Sequence, residues 1–167
     1  VGLEVKGNRR FKKDIARIVA DHDVPYVATL SVAHLTDFVR KVQKAKETRG
    51  FRFLHCLTPC IPGWRIEPSI GVSINRLAVD TGMWTLYEVE NGVPKVTYRP
   101  KTMVPVTEYL KLQGRFRHIS EADARELQAW LCEKWRVHYG EDAPVPPCVL
   151  PPQEDVLGHD GDTLYGI

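Results

Sequence analysis

The sequence predicts an α/β fold: a mainly parallel sheet with flanking helices, an edge hairpin and an extended C-terminal tail. Three observations predict it. Amphipathic segments at helical spacing alternate with short apolar runs, the helix–strand–helix–strand–helix order of a parallel α/β unit. Asn91-Gly92 lies between two strand-like runs, a strong hairpin signal because both residues tolerate positive φ. Past Gly140 periodicity stops, and Pro144, Pro146, Pro147, Pro151 and Pro152 mark an extended arm. The chain therefore divides into a folded unit over 1–140 and a Pro-rich tail over 141–167.

The elements follow in order. Residues 9–22 place Phe11, Ile15, Ile18 and Val19 on one helical face, with Lys12, Lys13, Asp14 and Arg17 outside. Pro25 interrupts, and Tyr26 to Leu30 reads as a short buried strand. A second helix over 33–48 carries the stripe Leu35, Phe38, Val39, Val42 and Ala45, and Gly50 stops it by accepting positive φ. Phe51 to Leu57 forms the next strand. Thr58 to Arg65 is a loop punctuated by Pro and Gly. A third helix spans 69–81 with Ile70, Ile74, Leu77 and Ala78 inward. The hairpin occupies 84–89 and 93–98, and a short helix covers 106–112. Ser120 to Asp123 resembles a capping box that starts a last helix with Leu127, Leu131 and Trp135 inward.

Composition narrows the function. The 167 residues suffice for one domain with its own core. Hydrophobic residues make up 43% and charged residues 26%, ordinary for a globular protein. A net charge of +2, with Lys and Arg interleaved with acids, argues against a nucleic-acid partner. No run of about 18 apolar residues predicts a membrane span. The start, Val1 to Lys6, has no apolar core of a signal peptide and no initiator Met, so the chain is expected to be a piece of a longer one.

The loop from Thr58 to Arg65 leaves the carboxyl end of a strand, where open α/β sheets place their sites. It holds Cys60 between Pro59 and Pro62, then Trp64 and Arg65. A rigidly held thiolate can complete a metal or cluster site whose other ligands come from elsewhere. The same residue is also read as a packed small side chain, and both readings stand at this point. His55 alternates to the other strand face, which argues against a Cys–His dyad. Cys56 and Cys132 read as core residues, and no CxxC pair accompanies Cys148. Trp64 reads as a packing anchor. His118, His138 and His159 are isolated, Asp160-Gly161-Asp162 lacks the further ligands of a calcium loop, and no Gly-rich phosphate motif occurs.

Several segments resemble the β (thiamine-diphosphate-binding) subunit of pyruvate or 2-oxoacid:ferredoxin oxidoreductase, in its C-terminal half. They are Asp14 to Ala16 through Val24 to Thr29, Phe38 to Lys46, Arg76 to Gly82 with Leu86 to Glu88, and Glu108 to Phe116. The most specific is Thr58 to Arg65, close to that family's APCPTGWR loop. The resemblance runs in order from about residue 9 to 138. It implies that 1–140 is the C-terminal half of a thiamine-diphosphate-binding domain and that Cys60 is the fourth ligand of a 4Fe–4S cluster. The other three cysteines of the family's cluster, and its GDG motif for thiamine diphosphate and Mg2+, do not occur here and are expected in the N-terminal half; no catalytic residue is assigned on this chain.

The implied activity is oxidative decarboxylation of pyruvate to acetyl-CoA and CO2. Thiamine diphosphate, Mg2+ and the cluster would be shared with the N-terminal half, with coenzyme A as co-substrate and ferredoxin or a similar acceptor for the electrons. The implied partners are that half and the other oxidoreductase subunits, in an anaerobic cytoplasmic setting. Two alternatives accompany it: the same chemistry on oxalate, phenylglyoxylate or a branched-chain 2-oxoacid, and a non-catalytic assembly or interaction domain.

Overall fold

A computed structural model describes residues 12–140 and Asp142. In it, helix α1 (Ile15–Ala20) leads to strand β1 (Tyr26–Ser31), helix α2 (Leu35–Glu47) and strand β2 (Arg52–Leu57). A one-turn helix α3 (Ile61–Trp64) and helix α4 (Gly71–Asp80) follow, then the hairpin strands β3 (Tyr87–Glu90) and β4 (Val93–Val96). Helices α5 (Val106–Lys111) and α6 (Glu121–Tyr139) complete the unit. The tail over 141–167, with Cys148, His159 and Asp160 to Asp162, lies outside the described residues apart from Asp142.

The α/β class holds, and the hairpin lies at one end of the sheet as expected. The strand order is β2-β1-β3-β4. The sheet is mixed, however, and not mainly parallel: only β1 and β2 run parallel, while β1–β3 and β3–β4 are antiparallel. The reason lies at the carboxyl end of β1. There the Thr29 hydroxyl donates to Thr85 O at 2.7 Å and accepts from Tyr87 N–H at 2.9 Å, and Trp84 Nε1 donates to Leu30 O at 3.0 Å. These bonds start β3 at the end where β1 finishes, so it runs back alongside, Ala28 opposite Glu88 and Tyr26 opposite Glu90. Asn91 at φ 49° and Gly92 at φ 80° make the turn that returns β4.

Side chains of β1 alternate between two faces. Val27 points with Tyr87 and Val89 toward Ala16 and Ala20 of α1, whereas Tyr26 and Ala28 point toward Ala45 of α2. Two expected helix faces differ from those observed. In α1 the alanines allow close approach to the sheet and Val19 packs beside them, while Ile15 and Ile18 are 41% and 42% exposed. That helix begins only after Asp14, whose carboxylate accepts from Arg17 N–H at 3.2 Å; the expected start at residues 9–11, including Phe11, is outside the described residues. In α2 the inward positions are Lys41 and Ala45, and Leu35 is 67% exposed. The helix stops at Glu47 because Thr48 turns to extended backbone at φ −74° and ψ 130°; Gly50 takes φ 97° two residues later, in the link to β2 and not at the helix end as expected.

The larger core lies among α4, α5 and α6. Ile74, Ala78 and Val79 meet Val106, Tyr109 and Leu110, closed by Leu131 and Trp135. The capping box of α6 forms: Ser120 Oγ accepts from Asp123 N–H, and the Asp123 carboxylate accepts from Ser120 N–H, each at 3.2 Å. Among the described residues β2 is an edge strand with none of its residues fully buried, and Phe51 beside it is 64% exposed. An apolar strand with an uncovered ladder is an unusual way to end a sheet.

Candidate functional site

Parallel pairing brings the carboxyl ends of β1 and β2 level, Ser31 opposite Leu57. The segment leaving β2 is not the plain loop expected. Cys60 caps a single helical turn, with Trp64 N–H donating to Cys60 O at 2.8 Å and Pro62 in its first turn. Proline fits there because the first turn of a helix leaves its N–H groups unbonded. Arg65, at φ 55° and ψ 57°, ends the turn in the left-handed region, and Ile66 N–H closes it onto Ile61 O at 3.2 Å. Two prolines and these bonds hold residue 60 in place before any ligand arrives.

The Cys60 thiol is free and exposed. It lies over Gly63: a Cβ at residue 63 would stand 2.8 Å from Cys60 Sγ. The space above the missing side chain is a cradle for the sulfur. A second segment clamps the turn from the side. Gly114 N–H donates to Arg65 O at 3.2 Å, and a Cβ on Gly114 would collide with Arg65 Cβ at 2.9 Å. Trp64 meets the Tyr109 ring edge-on, centroids 6.2 Å apart, as the packing anchor its type suggested. The Arg115 guanidinium lies 4.6 Å from the Trp64 ring centroid and 4.5 Å from that of Phe116. Its Nε donates to Gln113 Oε1 at 2.8 Å.

The other candidates are placed elsewhere. Cys56 is half-buried, and burial pushes its thiol pKa up. Cys132 is buried in the α6 core as expected, but it is disulfide-bonded and not a free packed thiol, and Gln128 Nε2 approaches its sulfur at 3.5 Å. His55 packs edge-on against Trp84, centroids 4.7 Å apart, and burial lowers its pKa. His118 is exposed on the surface. His138 stacks on Tyr87 at 6.1 Å, and burial, helped by Lys134, drives its pKa down to about 4.

Sequence reasoning missed two arrangements. Gln113-Gly114-Arg115-Phe116 had no assigned role, although an arginine beside both a glycine and an aromatic residue was a usable signal. The other is a buried ionic network. Lys41, fully buried, donates to Asp37 Oδ2 at 2.6 Å and Thr29 O at 2.8 Å. Beside it Tyr26 Oη donates to Glu88 Oε2 at 2.8 Å, and Lys44 Nζ bridges Glu88 and Glu90 at 3.2 and 2.6 Å. Each buried charge has a partner, the usual condition for tolerating one.

Among the described residues, no three His, Cys, Asp or Glu side chains converge on a point where a metal could be held. Of the two thiols free among the described residues, Cys60 is the exposed one and so the one open to serve as a corner of a four-thiolate cluster. Cys60 suits that corner, being exposed, preset by its cradle and free of other bonding.

No family model matches this sequence. Curated relatives do. The chain is 43% identical over 136 residues to the pyruvate synthase subunit PorB of Methanocaldococcus jannaschii, covering 81% of this chain and 46% of that subunit. It is 44% identical over 140 residues to PorB of Thermotoga maritima, covering 81% and 43%. It is 42% identical over 129 residues to the ketoisovalerate oxidoreductase subunit VorB of Pyrococcus horikoshii, covering 76% and 42%. The chain thus spans about half the length of the curated relatives it matches.

Proposed function

We propose, from the premise that this chain is related to the PorB and VorB subunits along about half their length, that it is part of a multi-subunit 2-oxoacid:ferredoxin oxidoreductase acting on pyruvate. It contributes the C-terminal half of the subunit's thiamine-diphosphate-binding domain, over 1–140, with the 141–167 tail as an extended arm. The carrying observation is the exposed Cys60 thiol, held in a doubly clamped turn at the carboxyl end of a parallel strand. A packed small residue needs neither that exposure nor that cradle. A purely structural assembly domain likewise gains nothing from a thiol kept open to solvent.

Cys60 would supply one thiolate to a 4Fe–4S cluster, and three would come from the subunit's other half, which would also hold thiamine diphosphate and Mg2+. The open edge of β2 suits a continuation of the sheet by that half. When bound, thiamine diphosphate supplies the decarboxylation chemistry and the cluster accepts electrons singly. This chain's own part is positional: the Pro59–Pro62 turn fixes the sulfur, Gly63 leaves it room, and the Trp64–Tyr109 contact holds the turn against the α4–α5 core. Coenzyme A as acyl acceptor, ferredoxin as electron acceptor and an anaerobic cytoplasmic setting complete the reading. The VorB relatives support a second substrate, a branched-chain 2-oxoacid, for the same chemistry.

The test is anaerobic iron, sulfide and thiamine analysis of the purified complex with Cys60→Ser beside the unchanged protein. Loss of one cluster's iron and of pyruvate-dependent ferredoxin reduction supports the assignment. Full iron with full activity removes Cys60 from the cluster. Faster turnover of 3-methyl-2-oxobutanoate than of pyruvate selects the second substrate.

A further inference from the structure

Arg115 is a half-buried cation with no acidic partner among the described residues. Burial alone would push its pKa down, since a guanidinium gives up hydration there. Such groups ordinarily face a carboxylate, as Lys41 faces Asp37. Among the described residues no Asp or Glu comes within ion-pair distance of Arg115. It is nevertheless tightly held. Two aromatic rings cover it, at 4.6 and 4.5 Å, and its Nε is spent on Gln113. Gln113 is itself buried and anchored by its Nε2 to Tyr109 O at 2.9 Å. The backbone bond from Gly114 to Arg65 then locks this segment to the turn that carries Cys60. One of the two rings it covers, Trp64, closes the very turn that Cys60 caps. A cation this ordered, packed on the turn that carries a free thiol and with no acid paired to it among the described residues, marks the place of an anion.

We propose that Arg115 is the counter-charge of the anionic iron–sulfur group bound through Cys60, a positioning residue that raises the group's reduction potential. The proposal rests on the preceding reading of Cys60 as a ligand. A four-thiolate cluster carries net negative charge that grows on reduction, so a fixed positive charge beside one sulfur favours the reduced state. The planar fork of arginine can lie flat between two rings and still present N–H groups at its edge. Lysine keeps the charge but loses both the stacking and the fork.

The experiment is a spectroscopically monitored redox titration of the intact complex, purified anaerobically, for the unchanged protein, Arg115→Lys and Arg115→Gln. Iron and sulfide are counted for each, and Cys60→Ser is run in parallel. The expected result is near-full iron in both arginine variants with the cluster potential falling in order, Lys below the unchanged protein and Gln below Lys. Identical potentials at full iron overturn the proposal. Equal iron loss from both variants at an unchanged melting temperature also overturns it, because charge would then make no difference. Should Arg115→Gln fail to assemble, Arg115→Met, which removes the charge but keeps a long side chain against the rings, decides in its place: a lowered potential upholds the proposal and an unaltered one rejects it. Full iron in Cys60→Ser instead sinks the underlying ligand assignment, whatever the arginine variants do.

Discussion

Gly63→Ala separates the shape of the Cys60 site from the stability of the fold. The added Cβ would land 2.8 Å from Cys60 Sγ and 3.6 Å from Cys60 Cβ. Only the sulfur is too close, and it sits at the end of a one-torsion side chain, so the cheapest response is a turn of χ1 away from its present position. Holding a side chain about 30° off its rotamer costs about 0.5–1.5 kcal/mol, and a full rotamer change relieves even that. Against this, alanine in place of glycine inside a helix is favourable by about 0.5–1 kcal/mol. Residue 63 lies in α3, and its φ is not among the positive ones, so the backbone accepts alanine. The two terms nearly cancel, and the melting temperature should move by no more than a few degrees. The thiol, however, no longer points where the cradle placed it. The expected outcome is a folded, assembled complex with reduced iron and sulfide, read by anaerobic metal analysis beside thermal unfolding. Unchanged iron in Gly63→Ala, when Cys60→Ser loses it, would falsify the idea that the missing Cβ presets the sulfur. A large fall in melting temperature would refute the energetic reasoning instead.

Two further predictions concern groups buried in the fold. Lys41→Met removes the ammonium that answers Asp37 at 2.6 Å and Thr29 O at 2.8 Å. Breaking one side of a buried pair costs about 3–5 kcal/mol, and the Arg40 contact to Asp37 at 2.9 Å points to the lower end of that range; urea unfolding of the subunit measures it, and a loss under about 1 kcal/mol contradicts the role given to the network. His138, with its pKa lowered to about 4 from an ordinary 6.5, stays neutral in the fold while the unfolded chain takes up a proton below pH 6.5. Stability should therefore decline as pH falls from about 6.5 toward 4, and His138→Asn should flatten that part of a melting-temperature profile; an identical slope in both proteins removes His138 as its source.

Much of this protein was legible in the sequence. Helical spacing found α4 and α6 with their inward faces, because Ile74, Ala78, Leu131 and Trp135 contact one large core and periodicity reports such contact directly. The pair Asn91-Gly92 found the hairpin, because the turn is made by the local backbone preferences of those two residues. The segment around Cys60 could be singled out for its prolines and thiol, and its resemblance to a known loop gave it a chemical meaning. Other features depended on which element meets which. The direction of β3 rests on bonds between residues more than 50 positions apart, Thr29 with Thr85 and Tyr87. Side-chain type misread the inward faces of α1 and α2. Close packing on a sheet favours alanine over isoleucine, and a lysine can be buried where Asp37 and a strand carbonyl wait for it. Arg115 reaches the turn that carries Cys60 only because the 113–116 segment folds onto Arg65 and sets the guanidinium over Trp64. Composition and spacing determined the local elements because their causes are local. The surroundings of the thiol were decided by tertiary structure, because electrostatics and packing act through space and take no account of sequence separation.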